Sequence, residues 1–146
     1  MSIVRSALAT TAAALALSAS LSGCANGPRD AQREPLTAEQ SQELAKLVEG
    51  RVAQTPVSCL PPGMRSASNV RISQNTLAYR QGAGDVYVNN LRTPCPGLDN
   101  NWDIIVTEQF QGRACSGDII RLVDRTSGIF GGSCVLGDFT PYKRAG

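Results

Sequence analysis

The spacing of the cysteines is the feature that most restricts how this chain can fold. Five cysteines stand at positions 24, 59, 95, 115 and 134, and no two of them are separated by only two residues. The C-x-x-C spacing typical of zinc sites and of thiol redox motifs is therefore missing from the sequence. The remaining interpretation is structural disulfides, which require export to an oxidising compartment.

The N-terminus predicts that export. Met1 to Arg5 forms a short, positively charged start, and residues 7–21 follow as a run of Ala and Leu with a few Ser and Thr. An apolar run of about 15 residues is too short to span a bilayer and fits the core of a signal peptide. We therefore assign residues 1–23 to an export signal.

The segment Leu21-Ser22-Gly23-Cys24 resembles the sequence that the lipid-transfer enzyme and signal peptidase of bacterial lipoproteins read. The resemblance implies that the mature protein begins at Cys24, with a diacylglyceryl group on the thiol and usually a third acyl chain, such as palmitate, on the amino group. At about 0.8 kcal/mol per buried CH₂, such chains anchor a protein by more than roughly 20 kcal/mol. An ordinary signal cleaved near Ala19-Ser20-Leu21 is the alternative. Residue 25 is Ala rather than the Asp that holds enteric lipoproteins in the inner membrane. We therefore expect a domain on the periplasmic side of the cell envelope, with the outer membrane favoured over the inner.

Two segments precede the predicted domain. Residues 24–36 contain few apolar side chains and predict a flexible, lipidated tether. Residues 37–54 predict a helix, because Thr37 and Gln40 match a capping box and the Leu and Val residues that follow form one narrow apolar stripe. Pro56 prevents its continuation. We expect the stripe to pack on the domain; a solvated stalk or a helix for a partner is the alternative.

Residues 57–142 predict a small β domain. Gly, Pro and Asn separate short β-type runs near residues 70–72, 76–80, 85–91, 102–109, 119–123 and 134–139. The second and third runs alternate and are joined by a glycine-rich turn, which predicts a hairpin. The expected fold is mainly β: a small antiparallel sheet or partly closed barrel of five to six strands, stapled by two disulfides and preceded by one N-terminal α-helix.

The longest one-sided apolar alternation predicts the centre of the core. It contains Trp102, Ile104 and Val106, and we expect these side chains to be buried together. Alternatively, Trp102 is an exposed anchor for a partner. Asp and Asn residues flank it at 99–101 and 103, and aromatic residues in polar loops are often binding hot spots.

With Cys24 acylated, four cysteines remain, and an even number in an exported domain predicts two disulfides with three possible connectivities. The hairpin brings the chain at Cys95 back toward Cys59. The two last predicted strands bring Cys115 toward Cys134. We therefore favour the pairing Cys59–Cys95 with Cys115–Cys134.

No set of residues predicts catalysis. The chain has no histidine, which removes the commonest general base and the commonest metal ligand. Residues 99–110 begin like a calcium loop but lack its turn glycine and its bidentate glutamate. Ser116 has no base to activate it, while Asp118 and Asp138 follow glycines, where Asp usually caps its own turn. We predict no enzyme, no cofactor and no metal.

The charge balance argues against one class of partner. Fourteen Lys and Arg against twelve Asp and Glu give a net charge of +2, and the longest basic run is Lys143-Arg144. Binding to a phosphate backbone needs a clustered basic field, so we predict no nucleic-acid partner. The predicted partners are the membrane, through the acyl anchor at Cys24, and an envelope protein.

Residues 59–142 also carry a series of short motifs: Cys59-Leu60, Thr76-Leu-Ala-Tyr-Arg80, Val86-Tyr-Val-Asn-Asn-Leu91, Cys95-Pro-Gly-Leu98, Cys115-Ser-Gly-Asp-Ile119 and Gly132-Ser-Cys-Val-Leu-Gly-Asp-Phe139. In this order they resemble an uncharacterised family of small exported bacterial proteins, classed as a domain of unknown function. The resemblance supports the disulfides and implies no activity, ligand or site.

Three functional hypotheses follow. The first is a non-enzymatic envelope lipoprotein that acts as a binding or interaction module. The second is a periplasmic inhibitor of a hydrolase such as lysozyme, which would present the loop Gln81–Asp85 or Leu98–Asp103 to an active cleft. The third is a hydrolase that uses Asp118 and Asp138.

Overall fold

The fold is known from a computed structural model that describes residues 34–64 and 67–145. The elements in this part of the chain are α1 (Ala38–Leu47), β1 (Arg51–Ala53), a short 3-10 helix (Pro62–Met64), β2 (Ser68–Ser73), β3 (Thr76–Arg80), β4 (Val86–Asn90), β5 (Asp103–Glu108), β6 (Ile119–Asp124), β7 (Phe130–Val135) and β8 (Phe139–Arg144). The predicted mainly β class is confirmed. The predicted export signal, Cys24 and the predicted tether up to residue 33 lie outside the described residues.

The strands form two antiparallel sheets. One has five strands in the order β1-β8-β4-β3-β2, and the other has three in the order β5-β6-β7. Neither sheet closes on itself, so the predicted single sheet or partly closed barrel is wrong. Eight strands replace the expected five or six, partly because the predicted strand at 134–139 is the junction of two strands that belong to different sheets.

The junction between β7 and β8 depends on a close backbone approach. A Cβ atom at Gly137 would collide with the carbonyl oxygen of Asn90, so only glycine fits there. The buried side-chain amide of Asn89 donates to the Gly137 carbonyl at 2.7 Å, and its oxygen accepts from the Gly137 N–H at 3.0 Å. Asn89 therefore satisfies the backbone of Gly137 at the point where the chain leaves one sheet and joins the other.

The predicted hairpin is confirmed. Strands β3 and β4 pair with Tyr79 opposite Tyr87 and Ala78 opposite Val88. Both faces of this hairpin are buried, because the three-stranded sheet lies on one side and α1 on the other. The glycine-rich segment between the strands is the turn that the sequence indicates, with Gly82 at φ +59°.

The start of the helix is confirmed and its predicted end is wrong. The Thr37 N–H donates to the Gln40 side chain at 3.0 Å, and the Gln40 N–H donates to the Thr37 hydroxyl at 3.2 Å, which completes the capping box. The helix ends at Leu47 rather than at residue 54. Gly50 adopts φ +68°, and this left-handed conformation redirects the chain into β1. The helix precedes the β domain but is not N-terminal in the chain.

The main core lies between the two sheets. Its fully buried side chains include Leu77 and Phe139 from the five-stranded sheet and Ile120 and Leu122 from the three-stranded sheet. The ring of Phe139 meets that of Tyr79 edge-on, with centroids 5.7 Å apart.

The prediction that Trp102, Ile104 and Val106 form this core is wrong. Their side chains are 78%, 42% and 41% exposed. On the same strand, Ile105 packs against the core opposite Leu122. Alternation of apolar and polar residues separates the two sides of a strand but does not predict which side faces the core. In β5 the less apolar side faces the core.

The disulfides number two, as predicted, but their favoured connectivity is wrong. The bonds are Cys59–Cys115 and Cys95–Cys134. The N–H of Cys95 donates at 2.8 Å to the carbonyl of Gln74, so the chain after the hairpin lies beside the β2–β3 turn and not beside Cys59.

The partner of Cys59 is set by the path of residues 57–60. Val57 lies opposite Phe139 of β8, and the Leu60 N–H donates to the Ala114 carbonyl at 2.9 Å. This segment therefore runs alongside residues 114–116, which places Cys59 and Cys115 directly opposite each other.

Candidate interaction surface

The outward side of the three-stranded sheet carries an exposed apolar surface. Six of the eight exposed large apolar side chains among the described residues lie on this sheet or in the loops at its ends: Trp102, Ile104, Val106, Phe110, Ile129 and Phe130. Soluble proteins rarely leave such side chains clustered without a use for them, so this surface is the first candidate for function.

Strand register determines which side chains share this surface. Ile104, Val123 and Phe130 form one row across the sheet, and Val106, Arg121 and Ser133 form the next. Trp102 and Ile129 lie at the end of the first row, where the Arg125 N–H donates to the Trp102 carbonyl at 3.3 Å and the Asp124 N–H donates to the Ile129 carbonyl at 2.9 Å. We call these two rows, together with Trp102 and Ile129, the bare face.

The outward side of the five-stranded sheet is also apolar, but α1 packs against it. The residues Val70, Ala78, Val86, Val88 and Tyr142 form an apolar cluster there with Leu44, Leu47 and Val48 of α1 and its C-cap. We call this sheet surface the covered face. The described residues thus contain one α-helix for two outward sheet surfaces.

The charges on and beside the bare face are largely satisfied locally. The Nε atom of Arg121 lies 2.6 Å from a carboxylate oxygen of Glu108, and its guanidinium lies 5.4 Å from the centroid of the Phe130 ring, a cation–π distance. The carboxylate of Asp124 accepts from the N–H of Thr126 at 2.9 Å and from the N–H of Ser127 at 2.7 Å. Bonds to the Ser127 backbone and hydroxyl hold the pKa of Asp124 below its usual value.

The loop before β5 holds Trp102 in place while leaving its ring outside. The side-chain oxygen of Asn100 accepts from the N–H of Trp102 at 3.0 Å and from the N–H of Asp103 at 3.3 Å. The guanidinium of Arg71 donates to the carbonyls of Asn100 and Asp103. The exposure of Trp102 therefore agrees with the alternative interpretation of this residue as an exposed anchor.

The residues considered for catalysis or calcium have local structural contacts. Asp118 is buried and its carboxylate accepts from the N–H of Cys115 at 2.8 Å, so it caps its own turn. The hydroxyl of Ser116 accepts from Arg92 at 3.0 Å, and Asp138 is exposed. Among the residues that the structure describes, no three His, Cys, Asp or Glu side chains are grouped as a metal site would require.

One buried polar group was not anticipated. The hydroxyl of Tyr79 has no hydrogen-bond partner among the described residues, and Tyr79 is one of the residues that line a cavity of about 140 Å³. Burial, with a further contribution from Asp118, raises the pKa of Tyr79 far above its usual value. The sequence does not predict whether the hydroxyl of a tyrosine on the inward side of a strand will have a hydrogen-bond partner.

Sequence reasoning also missed Phe110, Ile129 and Phe130. They are exposed by 80%, 67% and 64%, respectively. The exposure of these residues could have been predicted from their neighbours, since each stands beside Gln or Gly in a segment with turn character.

None of the helices within residues 34–64 and 67–145 has the length and apolar character needed to cross a membrane.

Comparison with known proteins identifies a family and no activity. No curated protein matches the chain, and no solved structure matches it. The model of one family of unknown function matches residues 7–138, which agrees with the resemblance drawn from the motifs of residues 59–142. Because this match covers most of the sequence, the chain belongs to the family of unknown function DUF6491.

Proposed function

We propose that this protein is a cell-envelope lipoprotein without enzymatic activity, acylated at Cys24, whose domain is an interaction module on the periplasmic side of the membrane. The bare face is its binding surface. The proposal rests on the exposure of Phe130 on the three-stranded sheet and of Trp102 in the loop just before β5.

The sequence supports the anchor. The segment 21–24 resembles the processing site of bacterial lipoproteins, and the family match begins at residue 7 and therefore includes Cys24. Two disulfides agree with an oxidising compartment. The alanine at position 25 favours the outer membrane.

The geometry supports binding in place of catalysis. Asp118 is occupied by a backbone amide, and Ser116 has an arginine as its partner and no general base. The bare face, in contrast, presents large rigid rings beside arginine, the side chains that dominate binding energy at interfaces.

Intact mass spectrometry of membrane fractions tests the anchor. The mature protein should begin at Cys24 and carry the mass of two or three acyl chains, and Cys24→Ser should accumulate as a precursor of higher polypeptide mass. A water-soluble protein with a free N-terminus at another residue would refute the anchor.

Photo-crosslinking in intact cells tests the binding surface. The residue p-benzoylphenylalanine, which inserts into C–H bonds of whatever molecule covers it, would replace Phe130 in one variant and Val52 in the control. Val52 is 53% exposed but lies on β1 of the other sheet. We expect adducts from position 130 well in excess of those from position 52. Equal yields would show that the bare face is not a binding surface.

A hydrolase inhibitor is the second candidate, and one observation favours it. The loop Leu98–Asp103 is rigidly hydrogen-bonded and presents Trp102 with a 78% exposed side chain. Lysozyme activity titrated with the purified protein tests this candidate. Stoichiometric inhibition that Trp102→Ala abolishes would support it, whereas full lysozyme activity at excess protein would exclude lysozyme as the target.

A further inference from the structure

The most exposed end of the bare face is also the end at which the chain enters the fold. The first turn of α1 and the loop before β5 line one groove of about 850 Å³, with Thr37 and Gln40 on one side and Asp99 and Arg125 on the other. Residues 34 and 35 line a second cavity together with Asp99. The first described residues of the chain therefore lie beside Asp99 and Asn101, in the loop that leads to Trp102.

The reach of that segment is sufficient to place the anchor beneath the bare face. From Cys24 to Thr37, at about 3.5 Å per residue, an extended chain covers at most about 45 Å. The helix, the five-stranded sheet and the three-stranded sheet are stacked layers, and at about 10 Å per layer α1 lies roughly 20 Å from the three-stranded sheet, well within that reach. Acyl chains on Cys24 can then lie in a bilayer that touches this face.

The backbone N–H and carbonyl groups of Trp102 and Ile129 all have hydrogen-bond partners within the protein. The Trp102 N–H donates to Asn100 at 3.0 Å, and the Trp102 carbonyl accepts from Arg125 at 3.3 Å. The Ile129 N–H donates to the Ser127 hydroxyl at 3.3 Å, and its carbonyl accepts from Asp124 at 2.9 Å. Apolar side chains on a satisfied backbone suit insertion among lipids, where an unpaired N–H or C=O has no solvent to bond.

We infer that the bare face lies on the lipid surface of the membrane that holds Cys24, with Trp102, Ile129 and Phe130 inserted at the boundary between headgroups and acyl chains. The inference rests on the acyl anchor of the proposed function and names the bilayer as the first partner of the binding surface. Tryptophan is enriched at this depth of a membrane because its ring is apolar and its N–H is polar.

The charges near the inserted residues indicate an apolar contact. Arg121 is paired with Glu108, and Asp124 keeps its negative charge beside the exposed Arg125. Among the residues that the structure describes, this end of the domain therefore has no basic cluster of the kind that binds anionic lipids through charge. The contact should consequently persist at high ionic strength, where electrostatic attraction to a membrane surface is screened.

A weak intrinsic affinity is enough for this contact. The anchor keeps the domain within a few tens of ångströms of the bilayer, so insertion of the bare face is an intramolecular step at high effective concentration. The domain then has a defined orientation, with the three-stranded sheet toward the lipid and α1 away from it.

The test uses the acylated full-length mature protein in vesicles of phosphatidylethanolamine and phosphatidylglycerol. Trp102 is the only tryptophan, so its fluorescence reports on this position alone. Intact mass is measured first on the same sample. We expect blue-shifted emission, several-fold quenching by lipids that carry a spin label near the headgroup, weak quenching by aqueous acrylamide, and no change on raising the salt concentration.

Two variants make the test specific. Ile129→Ser with Phe130→Ser should restore quenching by acrylamide and reduce quenching by the labelled lipids. Val52→Ser, which removes an exposed valine from the other sheet, should leave both unchanged. Circular dichroism confirms that each variant is folded before its fluorescence is compared.

The outcomes separate the inference from the proposed function. An absent acyl group refutes the anchor and this inference with it. If the protein is acylated and Trp102 is freely quenched by acrylamide, the anchor is supported, but the bare face does not lie on lipid and the inference is refuted. Protection from both quenchers that increases with protein density in the vesicle would assign the face to a second copy of the chain and overturn the inference.

Discussion

The covered face and the bare face are outward sides of antiparallel sheets in the same small fold, but the first is buried and the second is exposed. On the covered face, Val88 is 4% exposed because α1 packs over it. On the bare face, Val106 is 41% exposed and no described element packs over it. Similar β-branched side chains on a pleated strand therefore serve as core in one sheet and as surface in the other.

Function in such a domain is to be sought on the sheet surface that the helix leaves exposed. The helix begins at a capping box and ends at Leu47, before the left-handed Gly50, and its short length lets it cover one sheet only. Burial of the covered face contributes to stability, whereas the apolar side chains of the bare face contribute little to it and remain free for contacts outside the fold.

A charge introduced on each face should produce the largest difference in the free energy of unfolding. Val88→Asp buries an unpaired carboxylate beneath α1, and we expect it to lower the free energy of unfolding by about 5 kcal/mol. That is most of the stability of a domain that has about 5–15 kcal/mol in total. Val106→Asp should change it by less than about 0.5 kcal/mol, because the new carboxylate reaches water. Urea unfolding measures both, and equal losses would show that the two faces do not differ.

Removal of the Cys95–Cys134 bond should have the next largest effect. The bond joins the segment after β4 to β7 and thereby ties the three-stranded sheet to the hairpin of the five-stranded sheet. Cys95→Ala with Cys134→Ala should cost at most about 4 kcal/mol by chain-entropy arguments. Hydrogen exchange should show protection lost in β6 and β7 before it is lost in β3 and β4. The reverse order would mean that the bare sheet does not depend on this link.

Loss of the helix cap should affect the covered face alone. Thr37→Ala removes the hydroxyl that accepts from the Gln40 N–H, at a cost of about 1 kcal/mol. Fraying of α1 should lower the helical signal in circular dichroism and leave the fluorescence of Trp102 unchanged. The control is Ser41→Ala, an exposed position within the helix where alanine is the better helix former. A change in Trp102 fluorescence would indicate coupling between the faces.

Truncation of the tryptophan should have the smallest effect on stability. Trp102→Ala should change the free energy of unfolding by less than about 0.5 kcal/mol, because the ring is exposed. Phe139→Ala, at a fully buried ring, should cost about 3–5 kcal/mol. Urea unfolding of the purified protein compares the two. A loss of several kcal/mol from Trp102→Ala would mean that the ring is packed, as its alternation with Ile104 and Val106 first predicted.

Much of the local structure was predictable. The capping box at Thr37, the hairpin of β3 and β4, the short strand at Ser68–Ser73 and the oxidised state of four cysteines all agree with the structure. Each depends on residues a few positions apart or on the number of cysteines. The end of the helix was missed because Gly50 acts through its left-handed backbone, which a helical stripe that extends to Val52 conceals.

The candidate surface was predictable in part. The alternative interpretation of Trp102 as an exposed anchor pointed to it, while the favoured interpretation placed the same strand in the core. Phe130 was missed because its exposure depends on the register of β7 against β6, where it lies opposite Val123.

The mainly β class, the start of α1, the hairpin, the number of disulfides and the lipoprotein-like segment that ends at Cys24 could all be predicted from the sequence, because periodicity, turn chemistry and motifs act over short stretches of chain. Only the tertiary structure decided which cysteines pair, that the chain changes sheets at Gly137, and which side of β5 faces inward. These features depend on contacts between residues far apart in the chain, such as Leu60 with Ala114. The exposure of the bare face also depends on tertiary contacts, since α1 packs on the five-stranded sheet and leaves the outward side of the three-stranded sheet uncovered by any described element.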